Sequence, residues 1–161
     1  MIIPDVKLEK ELWKRGVKYV AGIDEAGRGP LAGPVCAAAV VISEDNEISP
    51  LVRDSKTMSE KQREKAYDFV IHNCLAYGVC IISSQKIDKF GIQDSVRMAM
   101  EGALMNAERM LGRKVNYLII DGNNVENIEE YNMEKIKDGY AYHYSISAAS
   151  IIAKVTRDRY M

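Results

Sequence analysis

Between two uncharged apolar runs, Tyr19-Val20-Ala21 and Val35 to Ile42, the chain places thirteen residues, Gly22 to Pro34, that hold four glycines and two prolines. The apolar runs read as strands. The stretch between them reads as a tight backbone that approaches its neighbours closely. Strands are therefore expected from about 18–25 and 34–42, paired antiparallel across the glycine stretch. Asp24 and Glu25 stand side by side at the end of the first strand, and Arg28 stands between Gly27 and Gly29. A buried strand tolerates a charge only when it is paired or holds a metal. Two readings fit these local residues: a turn with a solvated arginine, or a metal beside a phosphate or sugar. Adjacent strand residues face opposite ways, so Asp24 and Glu25 can share a site only if the strand ends or bulges there.

Further along, residues 5–15 carry Val6, Leu8, Leu12 and Trp13 as the apolar contacts of a charged helix, with Asp5 as its cap. Ser59 is a good cap for a helix running to about His72, with Ala66, Phe69 and Val70 on one side. Residues 75–84 read as a third strand. Beyond Ile92 a long helix is expected, with Val96, Met100, Ala103, Ala107 and Met110 on one face and Gly112 at its end. Residues 117–123 are apolar up to Asp121 and read as a buried, parallel fourth strand. Asp121 then falls at a strand's carboxyl end, where open α/β sheets place their ligands. Residues 126–138 look like an acidic loop and Tyr140 to Tyr144 a short fifth strand.

Ser145 to Met161 reads as a helix whose inward stripe, Ala148, Ile151, Ile152 and Val155, extends to Asp158. A carboxylate on a buried face near a helix C-terminus is both desolvated and set against the dipole. An ion pair with Lys154 one turn back would account for it; a metal ion accounts for it better.

The charge balance decides what partners are open to such a chain. Lys plus Arg number 22 and Asp plus Glu 23, so any nucleic-acid binding must come from a local patch rather than a global field. No apolar run approaches the roughly 20 residues of a membrane span, and the first residues lack the basic and apolar segments of a signal peptide. Cys36, Cys74 and Cys80 form no Cys-x-x-Cys pair and are expected to be reduced thiols in a cytoplasmic protein. With two histidines in 161 residues, zinc chemistry is not expected. Carboxylates select a hard ion instead. Asp24, Glu25, Asp121 and Asp158 converging on one point would repel one another unless neutralised. Two divalent ions would do so while clamping the oxygens of a phosphodiester.

The run Ile23-Asp24-Glu25-Ala26-Gly27-Arg28-Gly29-Pro30-Leu31-Ala32-Gly33-Pro34-Val35, the triplet Asp54-Ser55-Lys56 and the segment Ser145 to Arg159 together resemble the signatures of bacterial ribonuclease HII. The resemblance runs from about Tyr19 to the end. It implies an α/β ribonuclease H-like fold, a mixed sheet of about five strands with flanking helices, in a single domain over residues 1–161. It implies an endonuclease that hydrolyses RNA in RNA–DNA hybrids and at ribonucleotides embedded in duplex DNA, leaving 5′-phosphomonoester ends. Its cofactor would be Mn²⁺ or Mg²⁺ on Asp24, Glu25, Asp121 and Asp158. Gly27, Arg28 and Gly29 would sense the ribose 2′-OH at the junction, which tells RNA from DNA, and Ser55 and Lys56 would hold nucleic-acid backbone. Related type III enzymes carry Gly-Thr-Gly in that loop, so Arg28 speaks for type II. The chain is expected to be a monomer. It departs from the pattern at Tyr140 and Tyr142, where the family carries an Asp and a Lys. It is also expected to be C-terminally truncated relative to the family, whose further helices carry a tyrosine that stacks on the sugar. Two rivals remain open at this point: a hybrid-binding domain with little or no turnover, and a nuclease of the same fold acting on DNA.

Overall fold

The computed structural model describes residues 1–27, 33–122 and 125–161. Five strands form one sheet: β1 (Val20–Ala26), β2 (Val35–Ile42), β3 (Ala76–Ile82), β4 (Tyr117–Asp121) and β5 (Met133–Ile136). Their order is β3-β2-β1-β4-β5. β1 pairs antiparallel with β2, and β2 with β3, whereas β4 runs parallel to β1 and β5 parallel to β4. The sheet is thus mixed, as the alternation of apolar runs and helices predicts.

Helices cover both faces because the central strands are apolar on both. All eight residues of β2 are buried. One face carries Ala21, Ile23, Ala37, Ala39 and Val41 and packs against α4 (Ile92–Leu111) through Val96, Ala99, Met100, Ala103 and Ala107. The other carries Ala38, Val40 and Ile42 and packs against α2 (Glu60–Asn73) and α6 (Tyr144–Tyr160). Gly22 decides how closely α6 approaches: a Cβ there would collide with the backbone of Ser145. Ser59 caps α2 in a capping box with Gln62. Among the described residues no helix is long and apolar enough to cross a membrane. The three cysteines are free thiols.

The structure departs from the sequence reading in three places. The fifth strand is Met133–Ile136, inside the acidic segment, and residues Gly139–Tyr142 form a single helical turn, α5. β5 is an edge strand bonded only to β4, so it never needed the apolar run by which buried strands announce themselves. The helix expected beyond Ile92 is present as α4, ending at Gly112, but a separate short helix precedes it: α3 (Ser84–Phe90), capped by Ser83, ends at Gly91, whose φ is 85°. Met110, read as inward, is exposed on α4, and its sulfur accepts the Tyr77 N–H at 3.4 Å.

One residue that the charged pattern of α1 (Lys7–Lys14) concealed is structural. Glu9 is fully buried, and its Oε2 accepts the Ser145 N–H at 3.0 Å, serving one of the open amides in the first turn of α6. Burial pushes its carboxyl above the ordinary value, offset in part by that bond. A folded-state pKa raised in this way means a contribution that is full below the unfolded value and fades as pH rises through the folded one. Glu9→Ala should therefore cost about 1–3 kcal/mol by leaving the Ser145 amide unserved. Glu9→Gln should keep most of the bond, with a stability relative to wild type that improves steadily from pH 4 to pH 7. Denaturant melts of the three proteins across that range check both outcomes.

Candidate active site

The parallel neighbours β1 and β4 part company at one point, and the site forms there. Their register ends at Ile23↔Ile120. The next residue on each strand is a carboxylate, Asp24 on β1 and Asp121 at the last position of β4. β1 continues past this point with β2 alone, through Asp24↔Ala38, Glu25↔Ala37 and Ala26↔Cys36. The bulge expected from the Asp-Glu pair is therefore unnecessary. Beyond Ile23 the strand is open on its β4 side, and both Asp24 and Glu25 border the space that β4 leaves.

That space is a cavity of about 500 Å³ lined by Asp24, Glu25, Gly27, Ser55, Lys56, Arg63, Asp121, Tyr140, Ser150, Lys154 and Arg157, with Ala26. Asp24 is only 5% exposed, and its Oδ1 accepts the Glu25 N–H at 2.8 Å. Burial first, then the charges of Glu25 and Asp121, hold its carboxyl well above the usual carboxylate range. Asp121 is raised by burial and restrained by a hydrogen bond from the Gly139 N–H at 2.9 Å.

The cations around the cavity are tethered. Lys56 lies on the short 3-10 turn Ser55–Thr57, capped by Asp54 Oδ1, which accepts the Lys56 N–H at 2.9 Å. Its ammonium donates to Tyr140 Oη at 3.1 Å. Ser55, buried at the same turn, faces Ser150 of α6, the two hydroxyl oxygens 3.5 Å apart. Arg63 holds that turn to α2 by donating to the carbonyls of Ser55 and Met58 at 3.1 and 2.7 Å. Arg157 Nε donates to Pro34 O at 2.8 Å. Gly27, at φ +96°, leaves the room this needs, since a Cβ would collide with Arg157 Nε and Pro34 O.

Of the residues proposed from sequence, Asp24, Glu25, Asp121, Gly27, Ser55 and Lys56 border one cavity. Arg28 and Gly29 lie outside the described residues. Asp158 is not where its stripe predicts. Burial on α6 continues only to Val155. The last turn lies beside α2, where Arg159 pairs with Glu64 and stacks on the Tyr67 ring at 4.4 Å. Asp158 is exposed there and pairs with Lys154 at 3.2 Å, which is the competing account of it. Its depression is shared with Glu60, Arg63 and Glu64 rather than with the other three carboxylates. The further carboxylate whose charge does reach Asp121 is Asp138, just before the Gly139 amide. Tyr140, Lys154 and Arg157 were missed as lining residues; the departure at Tyr140 was the only sign of the first.

A hard divalent cation fits the donor chemistry. Asp24 and its two neighbours offer only carboxylate oxygens, and the burial and negative neighbours that disfavour the ionised form of Asp24 are what a positive charge would offset. Among the described residues no three His, Cys, Asp or Glu side chains already converge tightly enough to enclose an ion, so loading would draw the carboxylates inward.

A mixed sheet in this order, with helices on both faces and an acidic cavity at the carboxyl ends of its central parallel pair, makes this an α/β protein of the ribonuclease H-like class. It is similar to the crystal structure of ribonuclease H2 from Pyrococcus horikoshii, with a TM-score of 0.74 at 32% identity over 88% of this chain and 72% of that one. The chain belongs to the ribonuclease HII family, whose model matches residues 21–161. It is 48% identical to the ribonuclease HII of Bacillus mycoides over 155 residues, 96% of this chain and 58% of that protein. It is 42% identical to that of Acholeplasma laidlawii over 161 residues, 100% of this chain and 76% of that protein.

The raised Asp24 carboxyl gives a prediction for the metal-free protein. A folded pKa above the unfolded value favours folding at low pH and disfavours it as pH rises through the folded pKa. Asp24→Asn should therefore melt higher than wild type in chelator at pH 7. The gap should close toward pH 4. Thermal melts at the two pH values decide it.

Proposed function

We propose that this chain is a metal-dependent endonuclease that cuts RNA in RNA–DNA hybrids and at single ribonucleotides embedded in duplex DNA, leaving 5′-phosphomonoester ends. The reading rests above all on the carboxylate pair Asp24 and Asp121, with Glu25 adjacent, in a cation-rimmed cavity of a chain from the ribonuclease HII family. Mn²⁺ or Mg²⁺ held by Asp24, Glu25 and Asp121 would supply Lewis acidity toward the scissile phosphate and neutralise these carboxylates.

The chain's own residues bind and orient. Ser55 and Lys56 take a phosphate of the nucleic-acid backbone at the cavity they line. Gly27, Arg28 and Gly29 meet the ribonucleotide at its 2′-OH, the group that separates RNA from DNA. Asp158 takes part through Lys154, whose ammonium it steadies at the cavity's edge, and not as one of the carboxylates gathered on Asp24. With a net charge of −1, the affinity comes from these few cations and should fall steeply with salt. We place the protein in the cytoplasm as a monomer, acting in the removal of misincorporated ribonucleotides from DNA.

The direct test is incubation with Mn²⁺ or Mg²⁺ and a duplex containing one ribonucleotide, beside an all-DNA control. Cutting confined to the ribonucleotide-bearing duplex is the expected result. Binding without cutting would make the chain a hybrid-binding domain, and cutting of both would make it a DNA nuclease. Asp24→Asn should remove measurable cleavage with the fold intact.

Ion binding to the native state alone should also raise the melting temperature in millimolar Mn²⁺ relative to chelator. Asp121→Asn should gain much less, and Asp158→Asn as much as wild type. An equal gain for Asp121→Asn would remove Asp121 from the ligands, and a lost gain for Asp158→Asn would restore Asp158 to them.

A further inference from the structure

Tyr140 has no part in the reading above, yet it stands at the junction of the cavity's anionic and cationic halves. Its neighbour Gly139 gives its N–H to Asp121 Oδ1 at 2.9 Å. Its own hydroxyl accepts from Lys56 Nζ at 3.1 Å, and the same ammonium lies 4.4 Å from the centroid of its ring. One helical turn, α5, thus ties the carboxylate at the end of β4 to a lysine that precedes Tyr140 by 84 residues. Lys56 is exposed, and a lysine side chain free in solvent samples many rotamers at a cost of up to about 2 kcal/mol when it must be fixed. Tyr140 removes that cost in advance. The hydroxyl sets the direction of the ammonium and the ring face sets its height, while the charge of Lys56 is felt at both Asp24 and Asp121.

We propose that Tyr140 is a positioning residue that holds the Lys56 ammonium beside Asp24 and Asp121, so that Lys56 meets a backbone phosphate as the substrate enters. This rests on the reading of the cavity as the cleavage site. It adds a residue that touches neither metal nor reacting atoms and acts entirely through Lys56. Arg63 and Asp54 fix the backbone of the turn that carries Lys56; Tyr140 fixes the far end of its side chain.

The test is a double-mutant cycle with wild type, Tyr140→Ala, Lys56→Ala and the double variant, with Tyr140→Phe as the conservative control. Two quantities are read. One is the cleavage rate on a single-ribonucleotide duplex below saturation with Mn²⁺. The other is the Kd for a uniform RNA–DNA hybrid in chelator as a function of salt. Tyr140→Ala should slow cleavage about tenfold, the combined worth of a charge-assisted hydrogen bond and a cation–π contact. Lys56→Ala should slow it at least as much, and the double variant no further, because a residue that works through Lys56 has nothing left to position. Tyr140→Phe should fall between wild type and Tyr140→Ala. The salt slope of binding should drop by about one unit in Lys56→Ala and by part of that in Tyr140→Ala, with the Mn²⁺-induced melting shift unchanged in both. A purely structural role would move the melting temperature and leave the slope alone.

Multiplicative losses in the double variant overturn the proposal, as does a wild-type slope in Lys56→Ala. If the cycle holds in hybrid binding but wild type never cuts, the nuclease reading fails and the role of Tyr140 stands. If wild type cuts but the cycle is multiplicative, Tyr140 fails alone. Absence of hybrid binding at any salt overturns both.

Discussion

The interior location of Asp24 is the constraint on which this site depends. A carboxylate 5% exposed, on a strand whose neighbours are alanines and isoleucines, costs several kcal/mol if ionised without a counter-charge. The fold relieves this only in part. The Glu25 amide donates to Asp24, but Glu25 and Asp121 add negative charge on the same side and push the carboxyl further up. Burial and negative neighbours both act against the ionised form of Asp24, and a cation would relieve both. The binding site is built at the expense of stability, and everything around Asp24 keeps that arrangement from relaxing. Gly22 lets α6 press directly on β1, α4 closes the opposite face, and Gly139 secures the carboxylate opposite.

How the cations are placed follows from the same constraint. Free lysines and arginines would collapse onto Asp24 and Asp121 and neutralise them as salt bridges, leaving no site for a metal. Each cation in the cavity instead has another partner. Arg63 is committed to two backbone carbonyls, Arg157 to Pro34 O, Lys154 to Asp158 and Lys56 to Tyr140. The exposed Lys154–Asp158 pair contributes little to stability, so its value to the molecule lies in keeping Lys154 at the rim. Asp24 and Asp121 can then face one cavity with these described cations without being cancelled by them.

What the sequence disclosed and what it hid divide along physical lines. Buried strands and the capping box at Ser59 are encoded locally, by runs of apolar residues or by spacing, and β1 to β4 and α2 were legible. Asp24 and Asp121 were legible because a charge at the end of an apolar strand is a local anomaly. Glu9 was not, because in a run of alternating charges nothing marks the one that turns inward. β5 was hidden by its place at the sheet edge, where one bonded neighbour suffices and Glu134 can stay exposed. The inward burial read for Asp158 fails for a geometric reason: a periodic stripe says which way a side chain points, not whether anything lies beneath it. Past Val155 the core has ended. The convergence of Tyr140 on Lys56 was beyond reach, since it depends on the length of α5 and on the docking of Ser55 against α6.

The last consequence concerns register. Asp24 comes from a β1–β2 hairpin that can form locally, but Asp121 arrives 97 residues later, after three helices and another strand. Its place opposite Asp24 follows from the parallel pairing Val20↔Tyr117 through Ile23↔Ile120. A slip of one residue would send Asp121 to the other face of the sheet and turn Ile120 into the cavity. Leu118 and Ile120 face α4 while Ile119 meets Leu12, Val20 and Ile146 on the other side. Both faces of β4 are therefore apolar, and hydrophobic pattern alone discriminates weakly between registers. The polar contacts at its ends discriminate better: the Asn116 N–H donates to Tyr19 O at 2.8 Å, the Gly122 N–H to Ile136 O at 2.8 Å, and the Gly139 N–H to Asp121 itself. The carboxylate that would serve the metal is also part of the lock that places it.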